Sequence, residues 1–77
     1  MPKSAFSANY KRLRMMLRAA RKHAGLSQAD VAQQLGKPQS FVSKYERGER
    51  RLDVIEFLEI AKIVGLNVRD LNTLLRE

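Results

Sequence analysis

Apolar residues recur at steps of three and four along almost the whole chain, which is the spacing of one face of an α-helix. Two-residue alternation is absent, and the glycines and prolines fall between the periodic segments. The pattern predicts an all-α domain of five short helices. We expect them over about 7–23, 27–35, 38–47, 53–64 and 67–75.

Polar residues at the predicted helix starts support these boundaries. Ser27 with Asp30, and Asp53 with Glu56, have the three-residue spacing of a capping box. Pro38 suits the first turn of the third helix, where its missing N–H is no loss. Glycine ends each of the first four helices.

The apolar positions also predict how the helices are buried. The first helix has a single apolar stripe, made by Tyr10, Leu13, Leu17, Ala20 and Ala24. Met15 and Met16 are expected to fill the core. The fourth helix is apolar on most sides, with Ile55 and Leu58 among its residues, so it is predicted to be the central helix. Residues 1–6 are expected to form a loose arm.

Composition narrows the classes of function. The chain of 77 residues is 44% hydrophobic, enough for one domain with one core. Cysteine is absent and His23 is the only histidine, so we expect no disulfide, no metal site and no cofactor. The acids are scattered and no nucleophile–base set stands out, so an enzyme is not expected. No apolar run is long enough to span a bilayer, and no signal segment is evident, so a cytoplasmic protein is expected.

Charge is distributed unevenly along the chain. The net charge is +7, and residues 1–24 carry seven basic residues and no acid. Residues 52–77 carry three basic and five acidic residues. This asymmetry indicates a face for a polyanion on the first two-thirds of the chain.

The segment from Ser27 to Gly48 has the layout of a helix-turn-helix, formed by the second and third helices. When residues are placed around the helix axis at 100° per residue, with Gln39 at zero, the third helix divides into two nearly opposite faces. One face, centred at roughly 250°, holds apolar side chains: Phe41, Val42 and Tyr45. The other, centred at roughly 70°, holds hydrogen-bond donors: Gln39, Ser40, Ser43, Lys44 and Arg47. Such a face suits base edges and phosphates in a DNA major groove.

At these residues the chain resembles a known family. The segments Leu-Ser-Gln-Ala-Asp-Val-Ala at 26–32, Leu-Gly at 35–36 and Gln-Ser-Phe-Val-Ser-Lys-Tyr-Glu-Arg-Gly-Glu-Arg-Arg at 39–51 are similar to phage repressor/Cro regulators. These are also called the xenobiotic response element family, and the likeness covers roughly 13–75. The resemblance implies a compact lambda-repressor-like fold and a sequence-specific regulator of transcription. It also implies a homodimer on a near-palindromic, double-stranded DNA operator.

The resemblance also implies a role for individual residues. The base-reading positions are Gln39, Ser40, Ser43 and Lys44. The phosphate-contacting positions are Gln28, Arg47, Arg50 and Arg51. Arg21 and Glu46 match a structural salt bridge between the first and third helices. The dimer interface is expected in the region 66–77, at Val68, Leu71, Leu74 and Leu75.

The chain departs from the family at two turn positions. Lys37 stands where Val or Ile is more frequent, and Pro38 replaces a Ser or Thr cap. We expect Lys37 to extend to solvent while Phe41 supplies the apolar cover.

Two other functions remain open from the sequence. An antitoxin-like protein would bind a partner toxin and also its own promoter, and the transcription machinery is another candidate partner. The basic, amphipathic first helix could instead lie on a membrane surface or bind calmodulin. The need for its apolar stripe in so small a core argues against the membrane.

Overall fold

The computed structural model describes residues 8–75, with the side chains of residues 8–71. Four α-helices follow one another: α1 (Ala8–His23), α2 (Gln28–Leu35), α3 (Gln39–Arg47) and α4 (Val54–Val64). A 3₁₀ helix (Val68–Leu75) comes last. The prediction of an all-α fold is confirmed, and the described part of the chain contains no strand. The predicted arm, 1–6, lies outside the described residues.

The fifth element is a 3₁₀ helix where an α-helix was predicted. Asn67 begins it by accepting bonds from two following backbone N–H groups: its side-chain oxygen from Arg69 and its carbonyl from Asp70, both at 2.9 Å. The second of these bonds spans three residues, the tighter repeat of a 3₁₀ turn. At three residues per turn, Val68 and Leu71 lie on one face.

Both predicted capping boxes are present. Ser27 accepts a bond from the backbone of Asp30 at 3.0 Å, and the Asp30 carboxylate accepts one from the backbone of Ser27 at 2.8 Å. Asp53 and Glu56 make the equivalent pair at 2.7 and 3.0 Å. These bonds satisfy N–H groups that have no partner inside the helix, which fixes where α2 and α4 begin.

Pro38 lies one position before the first turn predicted for it, at the cap position that the family resemblance implies. It is the N-cap of α3, with extended backbone, and not a residue of the first turn. Its carbonyl accepts a bond from the backbone N–H of Phe41 at 3.0 Å, but its side chain has no acceptor and makes no capping bond. The start of α3 therefore lacks the side-chain cap that α2 and α4 have.

The core lies where α1, α2, α3 and α4 meet. Five large side chains are almost fully buried there: Leu17, Val31, Val42, Tyr45 and Ile60. α2 packs against α3 and α4, while α1 packs against α3, α4 and the 3₁₀ helix. This arrangement leaves one side of α3 outside the core.

Two predictions of burial are wrong. Met15 is exposed on α1, on the side away from the stripe of Leu13 and Leu17. In α4, Val54, Ile55 and Leu58 are exposed, because only the side of this helix that holds Phe57, Ile60, Ala61 and Val64 packs into the core. The fourth helix therefore contributes to the core with one side only, and it presents apolar side chains to solvent on another.

Candidate nucleic-acid interface

The two faces of α3 are separated as its sequence predicts. Phe41, Val42 and Tyr45 are buried, and the rings of Phe41 and Tyr45 meet edge to face with centroids 5.7 Å apart. On the opposite side, Gln39, Ser40, Lys44 and Arg47 are exposed and Ser43 is half-buried. The donor-rich face of α3 therefore points away from the core of the chain.

Glu46, the one acid of α3, turns inward and joins three helices. Its carboxylate accepts two bonds from the Arg21 guanidinium of α1, at 2.7 and 3.0 Å. Gln28, the first residue of α2, donates a third bond to the same carboxylate at 3.0 Å. Both charged side chains of the Arg21–Glu46 pair are less than a tenth exposed. The predicted ion pair is therefore present in the structure and fixes α3 against α1 and α2.

The surroundings of this ion pair shift two pKa values. The hydrogen bonds from Arg21 to Glu46 raise the pKa of Arg21, although burial opposes this shift. Burial raises the pKa of Tyr45, and the adjacent Glu46 charge acts in the same direction. Arg21 is therefore charged and Tyr45 neutral at any physiological pH.

Gln28 also contacts the outer face of α3. Its side-chain oxygen accepts a bond from the Gln39 amide at 3.4 Å, while its own amide donates to Glu46. Gln28 thus connects an exposed residue at the start of α3 to the buried carboxylate. This contact restricts the directions that the Gln39 side chain can take.

Arg47 and Ser43 interact with each other on the exposed side of α3. The Arg47 guanidinium donates to the Ser43 hydroxyl and makes two bonds to the carboxylate of Glu49, at 2.9 and 3.1 Å. The bonds from Arg47 hold the pKa of Glu49 below its usual value. A phosphate at this place would have to compete with, or share, the guanidinium that Glu49 holds.

Arg50 and Arg51, predicted together as phosphate contacts, are placed differently. Arg50 makes two bonds to Glu56 and lies over the ring of Phe41. Arg51 is exposed, with its guanidinium 5.7 Å from the ring centroid of Tyr10. Arg50 therefore contacts α3 and α4, while the more exposed Arg51 lies near Tyr10 of α1.

Arg14 is a contact of α3 that the sequence analysis missed. Its guanidinium donates a bond to the backbone carbonyl of Glu46 at 2.9 Å, near the C-terminal end of α3. Its Nε is buried and has no hydrogen-bond partner among the described residues. The spacing of seven residues between Arg14 and Arg21 could have revealed it, because two helical turns bring both to the same side of α1.

Lys37 lies beside the apolar residue that was expected to cover the turn. Its ammonium is 5.2 Å from the ring centroid of Phe41, and the side chain is exposed. Phe41 itself is 8% exposed, so it is packed into the domain. The structure thus matches the expectation that Phe41 packs while Lys37 extends to solvent.

Within residues 8–75, no helix combines the length and apolar character needed to cross a bilayer. No group of three or more potential metal-ligating side chains comes together among the described residues.

Known proteins resemble this chain in sequence and in fold. A family model described as helix-turn-helix matches residues 17–71 of the chain. A solved structure described as an XRE-family like protein from Pseudomonas syringae pv. tomato is similar, with a TM-score of 0.79 and 47% sequence identity. The match covers 86% of this chain and 80% of that one. No curated protein matches significantly.

Proposed function

The chain belongs to the XRE family of helix-turn-helix proteins, which are DNA-binding regulators of transcription, and from this premise we propose how it recognises its operator. α3 enters the major groove and reads base edges, and a homodimer binds two half-sites of a near-palindrome. The observation that carries the proposal is the exposure of Gln39, Ser40 and Lys44 on a helix whose opposite side is buried.

The side chains on the exposed face suit base readout. The amide of Gln39 can pair with both N6 and N7 of adenine, and the Lys44 ammonium can donate to O6 and N7 of guanine. Ser40 and Ser43 have hydroxyls that can donate or accept, so they fit several base edges. Because Gln28 contacts Gln39, the amide that meets the base is partly oriented before DNA binds.

Phosphate contacts are assigned to residues that flank this face. Gln28 is the first residue of α2, where the helix dipole favours an anion, and its amide retains a second N–H beyond the one given to Glu46. Arg47 and Arg51 are exposed on α3 and on the loop after it. With about six phosphates neutralised, affinity should fall roughly a thousandfold between 50 and 200 mM salt.

The dimer interface is proposed on the side of the 3₁₀ helix. Val68 is 47% exposed, and Leu71 is half-buried against the core. Together with Val54 and Leu58 of α4 they border an open apolar groove of about 430 Å³. A second copy covering this groove would bury these side chains. The side chains of Leu74 and Leu75, assigned to the same interface, lie outside the described residues.

Selection from a random DNA library with the purified protein tests the proposed function. We expect a near-palindrome whose half-site centres are separated by about 34 Å, one turn of B-DNA. A single unrepeated half-site would contradict the dimer, and recovery of no common sequence would contradict base readout by α3.

A further inference from the structure

Arg50 makes more contacts within the protein than its position in a DNA-facing loop suggests. Its guanidinium donates to both carboxylate oxygens of Glu56, at 2.9 and 3.0 Å. It also donates to the backbone carbonyl of Arg51 at 2.8 Å. One face of the group lies 4.6 Å from the ring centroid of Phe41. A single side chain therefore contacts α3, the loop and α4.

These contacts use the flat, forked shape of the guanidinium. Two parallel bonds to a carboxylate and stacking on an aromatic ring both require this shape, and lysine can reproduce neither fully. The side chain of Arg50 is 41% exposed and that of Glu56 only 18%, so the pair lies partly inside the protein. The bonds from Arg50 hold the pKa of Glu56 below its usual value.

The partners of Arg50 have structural roles of their own. Glu56 completes the capping box of α4, because its carboxylate also accepts the backbone N–H of Asp53 at 3.0 Å. Phe41 belongs to the buried side of α3 and packs against Tyr45. Arg50 thus connects the start of α4 to the inner side of the helix that reads DNA.

We propose that Arg50 is a positioning residue and not a contact to the DNA backbone. Its guanidinium stays on Glu56 and Phe41 in the complex and holds α3 and the following loop in the orientation that base readout needs. This inference rests on the proposed function, since it assumes that α3 reads the operator. It changes the role that the family resemblance implied for Arg50.

The first test compares Arg50→Lys with Arg50→Met, measuring operator affinity as a function of salt. A positioning role predicts that both variants lose about tenfold in affinity, because lysine keeps the charge but not the forked contacts. The slope of log affinity against log salt should stay at the wild-type value in both. A phosphate contact predicts the opposite: Lys preserves affinity, and Met reduces the slope by about 0.9.

Arg51 supplies a matched control from the next position. Arg51→Met should reduce the salt slope by about 0.9, and Arg51→Lys should retain most of the affinity. All measurements are made well below the unfolding temperature of each variant, as followed by circular dichroism. Unchanged operator affinity in both Arg50 variants under these conditions would show that Arg50 serves stability alone and would overturn the proposal.

A second pair of variants keeps the test informative if Arg50→Met does not fold. Glu56→Gln removes the charge that holds Arg50 but keeps the side-chain shape. We expect it to lower operator affinity as Arg50→Lys does. The double variant Arg50→Lys/Glu56→Gln should bind the operator no more weakly than either single variant. Additive losses in the double variant would overturn the proposal. If the wild-type protein discriminates its operator from random DNA but the Arg50 and Glu56 variants do not show these losses of affinity, this inference fails while the proposed function stands.

Discussion

The guanidinium of Arg14 occupies the space that a side chain at Gly48 would need. A Cβ atom at position 48 would lie 2.9 Å from the Arg14 Cζ, closer than such atoms approach. Gly48 ends α3 in the left-handed conformation, at φ of 83°, and Arg14 donates to the carbonyl of Glu46 just before it. The absence of a side chain at Gly48 thus allows an arginine of α1 to reach a carbonyl in the last turn of α3, where carbonyls have no partner inside the helix.

Replacement of Gly48 by alanine should therefore lower the free energy of unfolding by more than the left-handed backbone conformation alone explains. Gly36 is the matched control, because it ends α2 at φ of 72° and has no atom near the position of a Cβ. Gly36→Ala should destabilise by about 1 kcal/mol, the cost of a left-handed residue with a side chain. Gly48→Ala should cost up to about 2 kcal/mol, because the Arg14 guanidinium must also shift and its bond to the Glu46 carbonyl is weakened or lost. Urea denaturation measures both free energies of unfolding.

The double variant Arg14→Ala/Gly48→Ala tests the cause of the difference. With the guanidinium absent, Gly48→Ala should cost only about as much as Gly36→Ala does in the wild-type background. Equal losses for the two single glycine variants would contradict a steric role for Arg14.

The Arg21–Glu46 pair should matter more to folding than to DNA contact. Arg21→Met leaves the Glu46 carboxylate buried without its cation, and breaking such a pair costs about 3 kcal/mol or more. The double variant Arg21→Met/Glu46→Leu should recover most of this loss, because no uncompensated charge remains. Chemical denaturation of Arg21→Met, Glu46→Leu and the double variant gives the comparison. A double variant as unstable as the sum of the two single ones would refute this explanation.

The sequence predicts best those structural features that depend on residues close together in the chain. The capping boxes at Ser27 and Asp53 involve residues three positions apart, and both were predicted correctly. The burial of Val42 and Tyr45 follows from the period of one helix. Met15 and Ile55 were placed wrongly because composition shows that a residue is apolar but not which side of its helix meets another helix.

In the candidate site, too, features within one helix could be predicted, whereas contacts between distant parts of the chain could not. The outward face of α3 follows from the helical period, and the ion pair of Arg21 with Glu46 follows from the family resemblance. The contact of Arg14 with α3 joins residues 32 positions apart, and that of Leu52 N–H with the Tyr10 hydroxyl joins residues 42 apart. Such contacts depend on how helices pack: the spacing from Arg21 places Arg14 on the same side of α1 but does not name its partner, and no local pattern indicates the contact of Leu52 with Tyr10.

Base readout by α3 predicts a loss of discrimination without a loss of fold. Gln39→Ala/Lys44→Ala removes two exposed donors of the proposed reading face and no core contact. Each good base contact contributes about 1–3 kcal/mol of discrimination, so the double variant should bind operator and random DNA almost equally. Competition binding measures the ratio, and circular dichroism checks the helical content.

A control from outside this face makes the result specific. Lys22→Ala also removes an exposed positive charge, but from the end of α1. It should leave the ratio of operator to random DNA affinity unchanged. Wild-type discrimination in the Gln39/Lys44 variant would exclude these residues as the readers of sequence.

The proposed dimer interface predicts a change of mass when a charge is placed in the groove. Val68 is exposed in the single chain, so Val68→Asp should leave the fold intact while making burial against a second copy costly. Sedimentation should show a shift towards monomer at concentrations where the wild-type protein is a dimer. Met15→Asp, at an exposed apolar residue that does not border the groove, serves as the control.

Two outcomes would contradict this assignment. A Val68→Asp dimer of unaltered mass would place the interface elsewhere. A wild-type protein that is monomeric at all concentrations would contradict the homodimer, and would favour an antitoxin-like protein whose groove binds a different partner.

The capping carboxylates predict that the domain loses stability in acid. Hydrogen bonds from Ser27 lower the pKa of Asp30, and those from Arg50 and Asp53 lower the pKa of Glu56. A carboxylate whose pKa is lower in the folded state stabilises above its unfolded value, which is 3.8 for Asp30 and 4.5 for Glu56. This stabilisation disappears as the pH falls through the folded pKa values, so the urea midpoint should drop below about pH 4.5.

Removal of the titrating groups should flatten this dependence. Asp30→Asn and Glu56→Gln keep the shape of each side chain but cannot lose a proton in this range, so each should be less stable than the wild type at neutral pH. The difference from wild type should shrink as the pH falls, because the wild-type carboxylates become neutral as well. Urea midpoints measured between about pH 7 and pH 2 give the comparison. Curves that stay parallel over this range would show that neither capping carboxylate contributes to the acid sensitivity.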